Sequence, residues 1–157
     1  MKLRNLLFVV PLLFVACTPT RPPLGPGYLN TEPRNSVPVD DATAKLFAPV
    51  EGMAVVYIYM PEKSIVAPYA FSVVINNKYV APIKTESFLR IVLASGNYII
   101  RSGWKKVFGE CNIVVESGQV YFLKNTYDLP IALFQAEPNE AKSEILKLKL
   151  IDNPYNR

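Results

Sequence analysis

Cys17 and Cys111 carry the only two thiols of this 157-residue chain, and their surroundings assign them different chemistry. Cys17 ends an apolar run from Leu6 to Ala16 that the cations Lys2 and Arg4 precede. A thiol at the exit of such a run is placed for acylation at a membrane surface. Cys111 lies in Glu110-Cys-Asn-Ile-Val-Val-Glu116, where period-two alternation puts it with Ile113 and Val115 on one strand face. Free cysteine is among the most buried residue types, so this thiol reads as a core group. With Cys17 acylated, Cys111 has no intrachain disulfide partner.

The chain contains no histidine. That removes Ser–His and Cys–His nucleophile pairs, imidazole metal sites and the usual proton shuttle near neutral pH. Cysteine-rich metal spacing and phosphate-cradling glycine loops are absent from the sequence, so no cofactor and no metal are expected. Carboxylate pairs are the remaining enzymatic route. Asp40-Asp41 falls in a linker, and Glu137, Glu140 and Glu144 read as the solvated face of a helix. Glu110 and Glu116 share a strand face about 20 Å apart, too far to flank one glycosidic bond. No enzyme is expected. A different chemistry is open to Trp104, Lys105, Lys106 and Phe108, which form a basic–aromatic loop. It could be a platform for glycan, peptide or anionic headgroups. The plainer alternative, which we favour, is a hairpin loop whose Trp caps one end of the fold. Any binding function is expected at this loop.

Residues 1–16 have a basic start, a short apolar core and a small residue at the exit, the pattern of an export leader too short to span a bilayer as a folded helix. Its end, Phe14-Val15-Ala16-Cys17, is similar to a bacterial lipobox, where the thiol is acylated and the chain cut before it. Residue 18 is Thr, where an aspartate would favour retention in the inner membrane, so the outer membrane facing the periplasm is the expected home. Loss of Lys2 and Arg4 with the leader reduces the 17 cations to 15 against 13 anions, a net charge of +2. Such a balanced surface offers nucleic acid no electrostatic footprint. The expected partners are therefore the membrane, through the anchor, and an envelope protein.

Three segments follow from composition. After the leader, residues 17–50 carry prolines at 19, 22, 23, 26, 33, 38 and 49 and few large apolar side chains, and read as a tether. A short helix is possible within it at 40–47, capped by Asp40 or Asp41. Residues 51–157 form the domain. Strands are expected at 53–60, 69–76, 78–83, 87–94, 98–103, 110–116, 119–127 and 131–135. The first is apolar on both faces, as a central strand must be. Asn76-Asn77 suits a tight hairpin because Asn tolerates positive φ. The spacing predicts an all-β fold, an antiparallel two-sheet sandwich, with a small barrel as the competing closure. An amphipathic helix over 137–150 should follow, with Pro138 in its first turn and Ala141, Ile145 and Leu148 as its apolar stripe.

The β region resembles a domain-of-unknown-function family of small bacterial envelope lipoproteins. The resemblance rests on Val56-Tyr57-Ile58-Tyr59 with Pro61, on Ser95-Gly96-Asn97-Tyr98 and on Ser117-Gly118-Gln119-Val120-Tyr121-Phe122. These stand where that family carries a "vYvyRp" opening, a "pGxh" turn and an "aGxxYf" turn-strand. It covers about residues 52 to 148. Met60 stands where the family has Arg, and Ser95 replaces the proline before Gly96, so the family's polar opening position is not carried over. The resemblance implies a periplasm-facing β-sandwich of PEGA-like or immunoglobulin-like shape and no catalytic residue. Gly96 and Gly118 are expected in tight turns, and Tyr121 and Phe122 on opposite strand faces.

Overall fold

The structure is a computed structural model that describes residues 39–61, 70–127 and 130–156. The leader, Cys17 and the tether up to residue 38 lie outside the described residues.

The run Ala54–Met60 forms β1, and all seven of its side chains are buried. It lies in the middle of a five-stranded sheet. On one side it pairs with β4 (Ser87–Leu93), and on the other with β7 (Val120–Asn125). The short strands β8 (Leu133–Gln135) and β9 (Lys149–Leu150) form that sheet's edges, in the order β8-β7-β1-β4-β9. The second sheet has the order β3-β2-β5-β6, with β2 at Phe71–Ile75, β3 at Lys78–Ile83, β5 at Gly96–Trp104 and β6 at Val107–Val115. Among the described residues the strands thus form two separate sheets.

The expectation of purely antiparallel pairing needs correction. β1 runs parallel to β7, and β4 runs parallel to β9. Tight turns impose antiparallel neighbours, but β1 reaches β7 through both sheets, and a crossover of that length permits parallel pairing.

Alternation along β1 divides the apolar side chains between two layers. Ala54, Val56, Ile58 and Met60 face the second sheet and join Val73, Ile75, Leu89, Ile91 and Ile100 in the larger core. Val55, Tyr57 and Tyr59 face the other way, beside Phe88 and Phe122. That outer face is covered by α1 (Asp41–Ala44) and α2 (Pro138–Ile145), through Ala44, Ala141, Ile145 and the following Leu148. Phe47 meets Tyr57 and Phe122 edge-on, with centroids 5.4 and 5.8 Å apart, while Tyr57 stacks on Phe122 at 5.3 Å. The folded part therefore begins earlier than the expected boundary at 51, because Val39, Ala44, Phe47 and Val50 supply apolar cover that the sheet needs.

The helix expected over 137–150 is shorter. Glu137 caps it by accepting from the Glu140 N–H at 2.9 Å, and it ends at Ile145. Beyond it, Lys149 N–H donates to Glu86 O and Ile151 N–H to Phe88 O, so edge pairing takes over from helix. Asn76 and Asn77 both adopt positive φ (47° and 64°), the conformation a two-residue hairpin requires. Gly118 is left-handed (φ 75°) and donates its N–H to Met53 O, but Gly96 is the first residue of β5 with a nearly extended backbone, so no tight turn centres on it.

Candidate functional site

The basic–aromatic segment is not a broad loop. β5 and β6 are each nine residues long and leave only Lys105 and Lys106 between them. Lys105 takes the positive φ (55°) that closes such a connection. Gly103 makes the closure possible, since a Cβ there would collide with Val107 O and press on Phe108. Trp104 pairs across the hairpin with Val107. The two ring-bearing residues and Val107 stay outside the core: Trp104 is 38% exposed, Phe108 40% and Val107 48%. Lys105 Nζ sits 4.1 Å from the Trp104 ring centroid, a cation–π contact that holds one ammonium against the aromatic face. Lys106 is exposed beside it. The sequence-expected trio Trp104, Lys105 and Lys106 is thus gathered at one protruding hairpin end. The tip can offer an aromatic face, two cations and a small apolar flank to a ligand or surface.

Cys111 is half-buried on the inner face of β6 with Ile113 and Val115, and burial pushes its thiol pKa up. A neutral thiol at ordinary pH is a poor nucleophile.

The carboxylates are tied to structural partners. Asp40 Oδ1 accepts from the Thr43 N–H at 2.7 Å as the cap of α1. Glu110 Oε2 lies 2.6 Å from Arg101 Nε across the hairpin. Glu144 was expected on a solvated helix face, but Lys124 of β7 reaches its Oε1 at 2.8 Å and Glu140 at 3.6 Å. Burial alone would lower the Lys124 pKa, yet these two carboxylates raise it. Burial first, then the Glu144 carboxylate, drives the neighbouring Tyr59 phenol far up. Tyr59 Oη and Glu144 Oε2 are both buried without a hydrogen-bond partner among the described residues.

Arg90 escaped the sequence reading altogether. It is buried, and Nη1 reaches Asn156 Oδ1 at 3.5 Å. The segment 151–156 folds over β4 to bury it: Val92 N–H donates to Tyr155 O, Asn153 Nδ2 to Arg90 O, and Asn156 Nδ2 to Val39 O. Among the described residues no carboxylate pairs with it. Burial raises the pKa of the nearby Tyr57 phenol, and Arg90 works against that shift.

No group of three or more metal-ligating side chains occurs among the described residues, and no described helix is long and apolar enough to cross a membrane. Comparison with protein-family models, with curated proteins and with solved structures finds no match.

Proposed function

We propose that the chain is a non-enzymatic protein of the bacterial cell envelope, acylated at Cys17, that presents a β-sandwich on a proline-rich tether as an interaction module. The observation that carries this is the leader: a basic start, an apolar run and Ala16-Cys17 at its exit. Acyl chains on that cysteine give lasting attachment, since each buried methylene contributes about 0.8 kcal/mol. Between Cys17 and the first described residue, Val39, lies a proline-rich stretch that could extend tens of ångströms at about 3.1 Å per residue. The domain could then search for an envelope partner while anchored, the outer membrane facing the periplasm being the favoured side.

The test is metabolic labelling with a palmitate analogue beside crosslinking in intact cells. Label on the wild-type chain, absent from Cys17→Ala, together with one envelope protein captured near stoichiometry only by the anchored form, is the expected result. An unlabelled chain recovered free in the soluble fraction overturns the anchor. A protein captured equally well by Cys17→Ala overturns its role in partner capture.

The hairpin tip favours a second reading, a binder of glycan, peptidoglycan or lipid headgroups through Trp104, Lys105 and Lys106. Its support is the joint exposure of Trp104, Val107 and Phe108 beside two lysines.

A further inference from the structure

Among the described residues the two sheets have four edges, and three of them are blunted. β8 spans three residues and β9 two. β3 carries Lys78 and Pro82, and its pairing with β2 is interrupted by a register shift. Short length, lysine, proline and bulges are the devices that keep a sheet edge from pairing with another chain. β6 has none of these four: nine residues, no proline, no lysine and an unbroken register against β5. Although Ala132 and Leu133 pack on its inner face at Gly109, the outer-face side chains Phe108, Glu110, Asn112 and Val114 are exposed.

Backbone polarity along β6 follows from one hydrogen bond. Asn76 N–H donates to Ile99 O at 2.9 Å, so the backbone of Ile99 faces β2. Alternation then turns Ile100 toward β6, and its partner Cys111 toward β5. Phe108, Glu110, Asn112 and Val114 accordingly direct their N–H and C=O groups away from β5, along the sheet's edge.

We infer that β6 pairs antiparallel with β6 of a second copy of this chain, about a two-fold axis at Cys111. The side chains select that register. About Cys111, Phe108 (40% exposed) meets Val114 (62%) of the copy, so the two exposed apolar residues of the strand's outer face cover one another. Glu110, already held by Arg101, meets Asn112. Lys106 at one end of the strand meets Glu116 beyond the other, both exposed, and the symmetry makes each contact twice. Shifting the axis to Glu110 sets that carboxylate against its own copy and Lys106 against Val114. Shifting it to Asn112 sets Glu110 against Val114 and Phe108 against Glu116. Only the Cys111 register matches apolar with apolar and cation with anion. The outward backbone groups of Glu110 and Asn112 become a hydrogen-bonded pair, and the two Cys111 residues a non-hydrogen-bonded pair with Cα atoms about 4.5 Å apart. That separation is within disulfide reach. The inference does not rest on the lipid anchor.

The test is thiol crosslinking of the full-length chain with copper(II) phenanthroline. Two Cys111 thiols form one disulfide and release two protons, while two copper(II) ions take one electron each. The expected product is a linked dimer in wild type and in Cys17→Ser, lost on reduction and absent from the double variant Cys17→Ser with Cys111→Ser. In a background carrying both Cys17→Ser and Cys111→Ser, a mixture of Phe108→Cys and Val114→Cys chains should link at least about tenfold faster than Phe108→Cys with Asn112→Cys. Val114→Lys should lower the wild-type yield about tenfold without altering the melting temperature measured at a dilution where the chain is monomeric, since that side chain lies outside the core. Lys106→Glu should lower it too, and adding Glu116→Lys should restore it. Absence of a dimer linked through Cys111, or equal linkage in matched and mismatched mixtures, overturns the proposal.

Discussion

Asn125 of β7 donates a 2.6 Å hydrogen bond from Nδ2 to Ser102 Oγ of β5, joining the two sheets through a fully buried polar contact. Asn125 Oδ1 has no partner of its own among the described residues. The pair is buried between the two sheets, where a polar group is tolerated only when it is bonded. It fixes which residue of one sheet faces which residue of the other, a constraint that interchangeable aliphatic contacts supply weakly. Ser102→Ala should therefore cost about 1–3 kcal/mol by leaving the amide wholly unpaired, whereas Ser102→Ala with Asn125→Leu should recover most of that loss. Denaturant unfolding of the two single variants and the double variant measures the coupling. Strictly additive costs would show that the bond contributes nothing specific.

Tyr57 performs a related task on the outer face. Its hydroxyl donates to Ala44 O at 2.6 Å, tying α1 to the central strand. The same carbonyl also accepts from Phe47 N–H, so removing the phenol oxygen does not orphan it. Tyr57→Phe should then lower stability by about 1 kcal/mol, the net worth of one buried hydrogen bond. Amide exchange should quicken at residues 44–47 first. Uniform acceleration across β1 and β4 instead would mean that α1 is not separately held by this bond.

These contacts show what the sequence could and could not disclose. β1 was legible because it is apolar on both faces, and only a central strand covered on both sides accommodates that. The Asn76-Asn77 hairpin was legible because few side chains adopt two successive positive φ values. Parallel pairing of β1 with β7 was not, since alternation is the same whichever way a neighbour runs. Within residues 39–50 the short helix was legible from its aspartate cap, but its packing was not: Val39, Ala44, Phe47 and Val50 are too sparse among polar residues and prolines to announce a packed segment. At the tip, the residue types were visible but the tightness of the turn was not, because Phe108 and Val107 looked like loop and are strand. Arg90 was illegible for a different reason. Its cover arrives from residues 151–156, and no local pattern around position 90 reports a distant segment.

Asp41 gives the fold a defined acid sensitivity. Its Oδ1 accepts from the Leu150 N–H at 2.8 Å and its Oδ2 pairs with Lys45 at 2.7 Å, so one carboxylate joins α1 to β9. Burial alone would raise its pKa, but the Lys45 contact and the Leu150 N–H outweigh it and hold the group below its ordinary 3.8. A carboxyl depressed in the folded state stabilises fully above its unfolded pKa, and that contribution fades as pH falls through the folded value. The stability difference between wild type and Asp41→Asn should accordingly be constant near neutrality and shrink below about pH 4. Melting temperatures of both proteins across that range provide the measurement. A difference that does not change with pH would remove Asp41 from the linkage.

Trp104 is the only tryptophan in the chain, so its fluorescence reports the hairpin tip directly. Its partial exposure predicts that Trp104→Ala costs about 1 kcal/mol, well short of the roughly 3–5 kcal/mol of a fully buried aromatic. If the tip engages anionic headgroups, adding phosphatidylglycerol vesicles to full-length Cys17→Ala should shift the emission to shorter wavelength. Lys105→Gln with Lys106→Gln should abolish the shift, and salt should weaken it, because exposed charges are screened within about 8–10 Å at ordinary ionic strength. Soluble peptidoglycan fragments in place of vesicles test the glycan alternative with the same signal. A stability loss of several kcal/mol in Trp104→Ala would instead assign the ring to the fold. No spectral response to either probe would overturn the tip as a binding surface for headgroups or glycan.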